Sequence, residues 1–357
     1  MEIRSCIINN MNARKNRING YNRDKFIPYI LDNTFTFDTY STDDIETALD
    51  FIKREGINLV MINGGDGTLQ VTLTQMIKSL PSNKLPIILP LRGGTMNMVA
   101  NNLGIRKNPV ENVKLIMQHI RRYRNGDEKL STVPMMLLKI TDKKHGERYG
   151  FTFSNGIAFK LQKLYYATGQ PSFQTATTVV TTAIGGYIIG NKKSKSYFEK
   201  VKVHIIIDNK PYADGKILIA VASVLKKLIL WFKPFYKPER KAIYDFYFLA
   251  VSMDPFEIIA NVRTLSTGKL LHPKSFNDLA HRVTIQSESG YGIDGELTDD
   301  NETDVIIENG PALNFFIVPE SIRTNIMGLK FKHWINNDHI INHESIISAN
   351  ADEHPLY

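Results

Sequence analysis

Ile57-Asn58-Leu59-Val60-Met61-Ile62-Asn63-Gly64-Gly65-Asp66-Gly67-Thr68 opens on an apolar run and ends in glycines. Leu69, Leu73, Met76, Ile77 and Leu80 then recur at the spacing of one buried helix face. This order predicts a strand over 57–63, a glycine turn over 64–68 and a helix beyond it. The unit recurs downstream as a strand over 85–91, a turn at Gly93-Gly94-Thr95 and a helix over 96–103 closed by Gly104. Upstream, strands are expected over 2–9 and 35–40, with a polar loop and a helix between them. Ser41 or Thr42 then caps a helix whose apolar face is Ile45, Leu49 and Ile52 and which stops before Gly56. A further helix is expected over about 110–123. Strands alternating with helices imply an α/β N-terminal domain with a doubly wound parallel sheet, placed at 1–128.

The pattern changes at Thr132. Strand-like runs follow at 133–141, 149–158, 201–207, 216–224, 243–251, 282–287 and 304–307, with few long helical patterns between them. A mostly β, sandwich-like domain is expected over 132–320, then a helix and polar tail over 321–357 able to return to the first domain. The 357 residues suit about two domains, and 43% hydrophobic with 22% charged residues excludes global disorder. A single cysteine, Cys6, excludes a disulfide framework or cysteine zinc cluster and fits a reducing compartment. The charge-free run 164–191 is too rich in Thr, Ser, Gln and Gly to span a bilayer, so no transmembrane helix is expected and a cytoplasmic, peripheral location is. The net charge of +8 hints at an anionic partner. With no recognised module beside a pI near 9.2, a nucleic-acid partner is not expected.

Two glycine turns at the carboxyl ends of parallel strands are places where backbone N–H groups can approach a phosphate, helped by the positive end of the next helix. Either turn alone can be a plain strand-to-helix connection. An acid between the glycines is more informative, because Asp66 can hold Mg²⁺ or take a proton but cannot cradle a phosphate. Asp294-Gly295-Glu296, taken alone, reads as a β-turn.

Gly64-Gly65-Asp66-Gly67-Thr68 resembles the nucleotide-binding turn shared by diacylglycerol kinases, sphingosine kinases, NAD kinases and, more distantly, phosphofructokinases. That string does not choose among them. Leu89-Pro90-Leu91-Arg92-Gly93-Gly94-Thr95-Met96-Asn97 is similar to the second signature of the lipid kinases, and Asp294-Gly295-Glu296 matches their late acidic motif. The resemblance, running from Asn9 to about residue 319, implies that Asn9 opens the first phosphate-side loop. It also implies that Gly64, Gly65, Gly67 and Thr68 contact ATP and that Gly94, Thr95 and Asn97 complete the nucleotide site. Asp66 would manage Mg²⁺, and Glu296, arriving from the second domain, would be the base candidate, with Asp66 the other. The chain departs from the family at Asn9-Asn10-Met11-Asn12-Ala13, at Met98 where aspartate is frequent, and at Tyr244-Asp245-Phe246, which replaces an aspartate-glycine associated with a structural metal.

Lys226, Lys227, Lys233, Lys237, Arg240 and Lys241 interleave with Leu228, Ile229, Leu230, Trp231, Phe232, Phe235 and Tyr236. This mixture is expected to face an anionic membrane over 224–241, the alternative being core aromatics with solvated lysines. Lys192, Lys193, Lys195, Lys200 and Lys202 read as a solvated loop, and 175–189 is a candidate lining for an acyl pocket. Together the resemblance and these features imply an ATP- and Mg²⁺-dependent lipid kinase acting on a diacylglycerol- or sphingoid-type hydroxyl. An NAD kinase and a catalytically weak lipid- or nucleotide-binding protein are the alternatives, the latter because of Met98 and the altered first loop.

Overall fold

A computed structural model describes residues 2–127, 130–169, 172–229, 232–236 and 245–317. In its first domain β1 (Ser5–Asn10), β2 (Thr34–Thr39), β3 (Leu59–Gly64) and β4 (Ile87–Arg92) form a parallel sheet in the order β2-β1-β3-β4. Every residue of β3 is buried, so both of its faces need cover. The connecting helices are α1 (Arg14–Asn19), α2 (Thr42–Glu55), α3 (Asp66–Ser79), α4 (Met98–Asn102) and α5 (Pro109–Arg124). Ser41 caps α2: its hydroxyl accepts from Asp44 N at 3.2 Å while the Asp44 carboxylate accepts from Ser41 N at 2.9 Å, and Gly56 closes the helix at φ 62°. The chain leaves β1 for β2 on one side and β3 lies on the other. The loops after β1 and β3 therefore diverge and open a crevice at the carboxyl ends of the strands.

The helix expected over 96–103 starts two residues later, at Met98, because Asn97 adopts a left-handed conformation (φ 50°) and bonds back across the turn to Gly94.

The second domain is a β-sandwich. Its strands are β5 (Thr132–Asp142), β6 (Gly146–Gly150), β7 (Thr152–Gly156), β8 (Val201–Ile207), β9 (Lys210–Ile217), β10 (Ile219–Ser223), β11 (Phe246–Val251), β12 (Ser275–Ala280), β13 (Arg282–Ser287), β14 (Tyr291–Ile293), β15 (Glu296–Thr298) and β16 (Thr303–Phe316). One layer is the antiparallel sheet β12-β11-β10-β7-β14-β15. The other continues the sheet of the first domain as β4-β16-β13-β8-β9, with β5 on β16 and β6 on β5. The short strand expected over 304–307 is thus a 14-residue strand, and its far end pairs Phe315 with Ile88 of β4. One hydrophobic core runs from Ile7 and Met61 in the first domain to Phe153, Ile285 and Phe315 in the second.

Three helices were not legible between the strands: α6 (Ile157–Ala167), α7 (Phe173–Ile188) and α8 (Lys192–Tyr197). Without charges, most of this stretch lacks the polar stripe that gives a surface helix its period, and α7 buries only Ala176, Val179 and Ala183. Two further short helices, α9 (Pro255–Ala260) and α10 (Val262–Ser266), follow β11. The stretch expected to be a helix and tail, 321–357, lies outside the described residues.

A second tie joins the domains. The Thr74 hydroxyl on α3 donates to Tyr149 O at 3.2 Å and accepts from Tyr149 N at 3.0 Å on β6, and all these groups are buried. Thr74→Val keeps the shape but leaves both backbone groups unpaired, so it should cost about 1–3 kcal/mol. Because sheet and core are continuous, calorimetry should show one transition moved as a whole. Two transitions, only one of them shifted, would mean that the domains melt independently.

Candidate active site

The two glycine turns lie across one another at the mouth of the crevice. Gly94 N donates to Gly64 O at 2.9 Å, and a Cβ on Gly94 would collide with Gly65 Cα. The other glycines are required by neighbours as well. A side chain at Gly64 would occupy the place of Thr68, one at Gly93 would strike the Asn16 and Asn63 amides, and one at Gly67 would run into the Glu296 carboxylate. Beyond them α3 begins at Asp66 with no side-chain cap on its N-terminus, so the first N–H groups and the positive end of a 14-residue helix are available to an anion.

Beneath the turns is a set of buried asparagines. Asn63 Nδ2 donates to Asn9 Oδ1 at 2.7 Å and to Asn16 Oδ1 at 3.0 Å, and Asn16 Nδ2 donates to Asn10 O at 2.8 Å and Asn63 O at 3.1 Å. Asn9 Nδ2 also reaches Asp38 Oδ1 at 2.6 Å and Tyr21 O at 2.8 Å. The Asn9 amide is therefore engaged inside the fold, and Asn10, one residue on, donates to Thr68 Oγ1 at 2.7 Å. Asn97 is likewise turned into its own loop, with Gly94 N at 3.0 Å and Gly94 O at 2.8 Å. Thr95 makes no hydrogen bond among the described residues.

Asp66 spans the two turns. Its carboxylate accepts from Met98 N at 2.9 Å and Val99 N at 3.1 Å, which caps α4 from another element. Burial raises its pKa, and those N–H donors pull against the rise.

Across the crevice, Asp294 (φ 49°) and Gly295 (φ 94°) form the tight turn from β14 to β15. The β-turn reading and the functional one therefore describe the same three residues. The buried Asp294 carboxylate accepts from Phe151 N, Thr152 N and Thr152 Oγ1 at 2.8, 2.8 and 2.9 Å, which fixes the turn and delivers Glu296 onto Gly67. Glu296 makes no hydrogen bond or ion pair among the described residues. It keeps contact with solvent, yet the crevice walls raise its carboxyl above the usual range by desolvation. The structure thus brings Asp66, Gly64, Gly65, Gly67, Thr68 and Gly94 together with Glu296.

Several neighbours left no sign in the sequence. The Tyr166 hydroxyl lies where a Cβ on Gly295 would go, and burial raises its pKa, helped by Tyr165 and then by Glu296, Asp66 and Asp294. Lys15, whose N–H donates to Gly93 O at 3.0 Å, has its pKa lowered by burial and then by Arg92. Arg92 donates to Arg106 O. Neither Asn16 nor Lys15 sits in a recognisable string; a polar helix directly after a buried strand is the signal they leave. Among the described residues no group of three or more His, Cys, Asp or Glu is gathered to hold a metal ion.

Of the segment 224–241 expected to face a membrane, only 224–229 and 232–236 are described. Phe235 is 2% exposed and stacks on Tyr247 at 5.0 Å, Leu228 and Phe232 pack on the core, and the Lys227 carbonyl accepts from Asn102 of α4 at 2.9 Å. Most of the apolar half of 224–236 faces inward, because that burial gains more than exposure to water. Lys226, Lys227, Lys233 and the 43%-exposed Tyr236 remain towards the outside. Leu230, Trp231, Lys237, Arg240 and Lys241 lie outside the described residues. No described helix is long and apolar enough to cross a membrane. The candidate acyl lining, 175–189, is mostly α7, whose end is exposed.

A parallel sheet with glycine turns at its switch point thus faces an acid delivered by the second domain. Residues 4–126 match the family model of the diacylglycerol kinase catalytic domain. No curated protein matches the chain in sequence. Among solved structures it is similar to a protein from Bacillus anthracis str. Sterne assigned as a diacylglycerol kinase. The identity is 17% and the TM-score 0.63 over 89% of this chain and 98% of that one. A structure of a diacylglycerol kinase from the same organism gives 15% identity and a TM-score of 0.56 over 90% and 98%. At such identities the likeness is one of fold.

Asp294 yields a prediction about pH. Burial, with the Asp66 carboxylate adding, pushes it up to about 7 against its Phe151 and Thr152 donors. A carboxyl whose folded pKa lies above its unfolded value of ~3.9 stabilises the fold below that value and loses the contribution as pH rises through the folded one. Stability should therefore fall between about pH 4 and pH 7. Asp294→Asn, a permanent mimic of the neutral acid, should follow a flatter curve of Tm against pH. Parallel curves would place the titration elsewhere.

Proposed function

We propose that the chain is an ATP-dependent lipid kinase that transfers the γ-phosphate to a hydroxyl of a diacylglycerol- or sphingoid-type lipid at a membrane surface. The observation that carries this reading is Glu296. It is a carboxylate with no protein hydrogen bond, supplied by the second domain and resting on Gly67 at the uncapped start of α3. A base is needed at that place if a hydroxyl is to attack a phosphate held by the turns.

In this reading the α3 N–H groups receive the nucleotide's phosphates, with positive charge from Lys15 and Arg92 beside Gly93. Asp66, whose carboxylate lies between the two turns, would be the single carboxylate donor to Mg²⁺. The ion, when bound, supplies charge neutralisation at the β- and γ-phosphate oxygens. Glu296 takes the proton of the lipid hydroxyl as its oxygen bonds to the γ-phosphorus and the bond to ADP breaks. Its raised pKa suits that work. Asn9, Asn63 and Asn97 act by shaping the loops, and Thr68 and Thr95 offer hydroxyls to the nucleotide.

Purified protein given labelled ATP and a total lipid extract in detergent, with NAD offered in parallel, distinguishes the readings. Label in a lipid phosphate monoester supports the proposal. Label in NADP moves the assignment to an NAD kinase, and nucleotide binding without transfer leaves a binding protein. Glu296→Gln should lower kcat by about 10²–10⁴ with little change in KM for ATP. A loss confined to that KM would assign the residue to nucleotide or metal binding. Asp66→Asn should lose activity and also about 1 kcal/mol of stability, since an amide offers one acceptor where α4 uses two.

A further inference from the structure

The end of α7 exposes an apolar knob. Ile188 and Ile189 are 56% and 82% exposed, and Phe256 at the start of α9 is 64% exposed beside Tyr187, its ring 5.1 Å away. Between them is a groove of about 390 Å³ walled by Tyr187, Ile188, Phe198 and Phe256, with Lys195 at its rim. Directly beyond, Lys192, Lys193 and Lys195 are exposed and make no ion pair among the described residues. The nearby acids are mostly committed: Asp254 to Lys200 at 2.6 Å and Glu257 to Lys274 at 2.9 Å, leaving Glu199.

The outward face of α7 continues this character. At 22% charged residues, the run 164–191 would carry about six charges if they were spread evenly, and it carries none. Two of its exposed threonines turn their hydroxyl hydrogens back to the helix: Thr177 donates to Phe173 O at 3.1 Å and Thr181 to Thr177 O at 2.9 Å. Sixteen residues make a rod of about 24 Å, too short to span a bilayer but able to lie in its interface.

We infer that the α7–α8 corner, with Phe256, docks the protein on an anionic lipid bilayer, Ile188, Ile189 and Phe256 entering the interface while Lys192, Lys193 and Lys195 meet the headgroups. This rests on the lipid-kinase reading and relocates its membrane contact from 224–241. A second copy of the chain is a poorer occupant, since a two-fold contact through this patch would set the lysines against one another. The α6–α7 hairpin also carries Tyr166, so the docked element is continuous with the crevice.

The test is co-sedimentation of the full chain with phosphatidylcholine vesicles, with and without phosphatidylglycerol, at low and high salt. Exchange of Lys192, Lys193 and Lys195 for Gln should weaken binding to the anionic vesicles by up to about 100-fold at low salt and much less at high salt. Ile188→Ser with Ile189→Ser should weaken binding to both kinds of vesicle by about tenfold or more, at any salt. Both variants should keep the wild-type Tm and the wild-type rate on detergent-dispersed lipid. Wild-type binding by both variants overturns the inference, as does a dimer in gel filtration that the same changes dissociate without affecting vesicles. A protein that docks as described but transfers no phosphate leaves the docking intact and removes the kinase reading; transfer in detergent without docking does the reverse.

Discussion

The site depends on backbone passing backbone without side chains between. Gly65 and Gly94 touch where their two turns cross, and the bond from Gly94 N to Gly64 O holds them there. A Cβ on Gly94 would drive the β3 and β4 loops apart, and Asp66 would then lose the Met98 and Val99 N–H groups it holds across that gap. Gly67 extends the constraint to the second domain, because its missing side chain is the space that Glu296 fills. The resemblance assigns these glycines to the nucleotide. At Gly64 and Gly94 the structure gives a neighbour that would exclude a larger residue before any ligand arrives.

Close packing of bare backbone leaves polar groups to be satisfied below it, and the asparagines meet that need. Asn9, Asn16 and Asn63 exchange hydrogen bonds among β1, α1 and β3 while fully buried, where an unpaired polar group costs about 1–3 kcal/mol, and Asn63 Oδ1 is the one oxygen of the three amides left without a partner among the described residues. Such a network tolerates one register and no other. The altered first loop, Asn9-Asn10-Met11-Asn12-Ala13, is consistent with this: where a proline would stiffen the chain, asparagine bonds hold it instead.

The first domain was legible because its central strands β1 and β3 are almost wholly buried and its long helices are two-sided, so period and punctuation agree at most boundaries. Ser41, Gly56 and the two glycine turns mark their elements as expected. The second domain was legible as strands but not as topology. β16 pairs with both domains through contacts far apart in sequence, and α6 and α7 lack the alternation of charge and apolar residues that identifies a helix. At the site, the acids and glycines stand in strings that can be recognised. Tyr166, Lys15 and Asn16 reach it only through tertiary placement, and no spacing in the sequence records that. The segment 224–236 was ambiguous for a related reason: lysines beside aromatics look alike whether the rings enter a bilayer or a core, and only tertiary placement shows that Phe235 stacks on Tyr247.

How Glu296 is held bears on how the site works. α3, which starts at Asp66, is fastened to β6 by the two bonds of Thr74 with Tyr149; one residue past β6, Phe151 N holds the Asp294 carboxylate, and Glu296 lies two residues further on. This short circuit closes through a sheet that β16 carries unbroken from β4 to β13. Opening the crevice by rotating one domain against the other would have to break buried pairs in that circuit, at about 1–3 kcal/mol for each group left unsatisfied. Glu296 and the glycine turns are therefore preorganised with respect to each other, which in the proposed reading favours a positional contribution to rate that needs no closure of the domains. Exclusion of water then falls to elements at the rim, where the α6–α7 hairpin sets the Tyr166 hydroxyl against Gly295 and where, in the reading proposed above, a lipid surface would complete the wall.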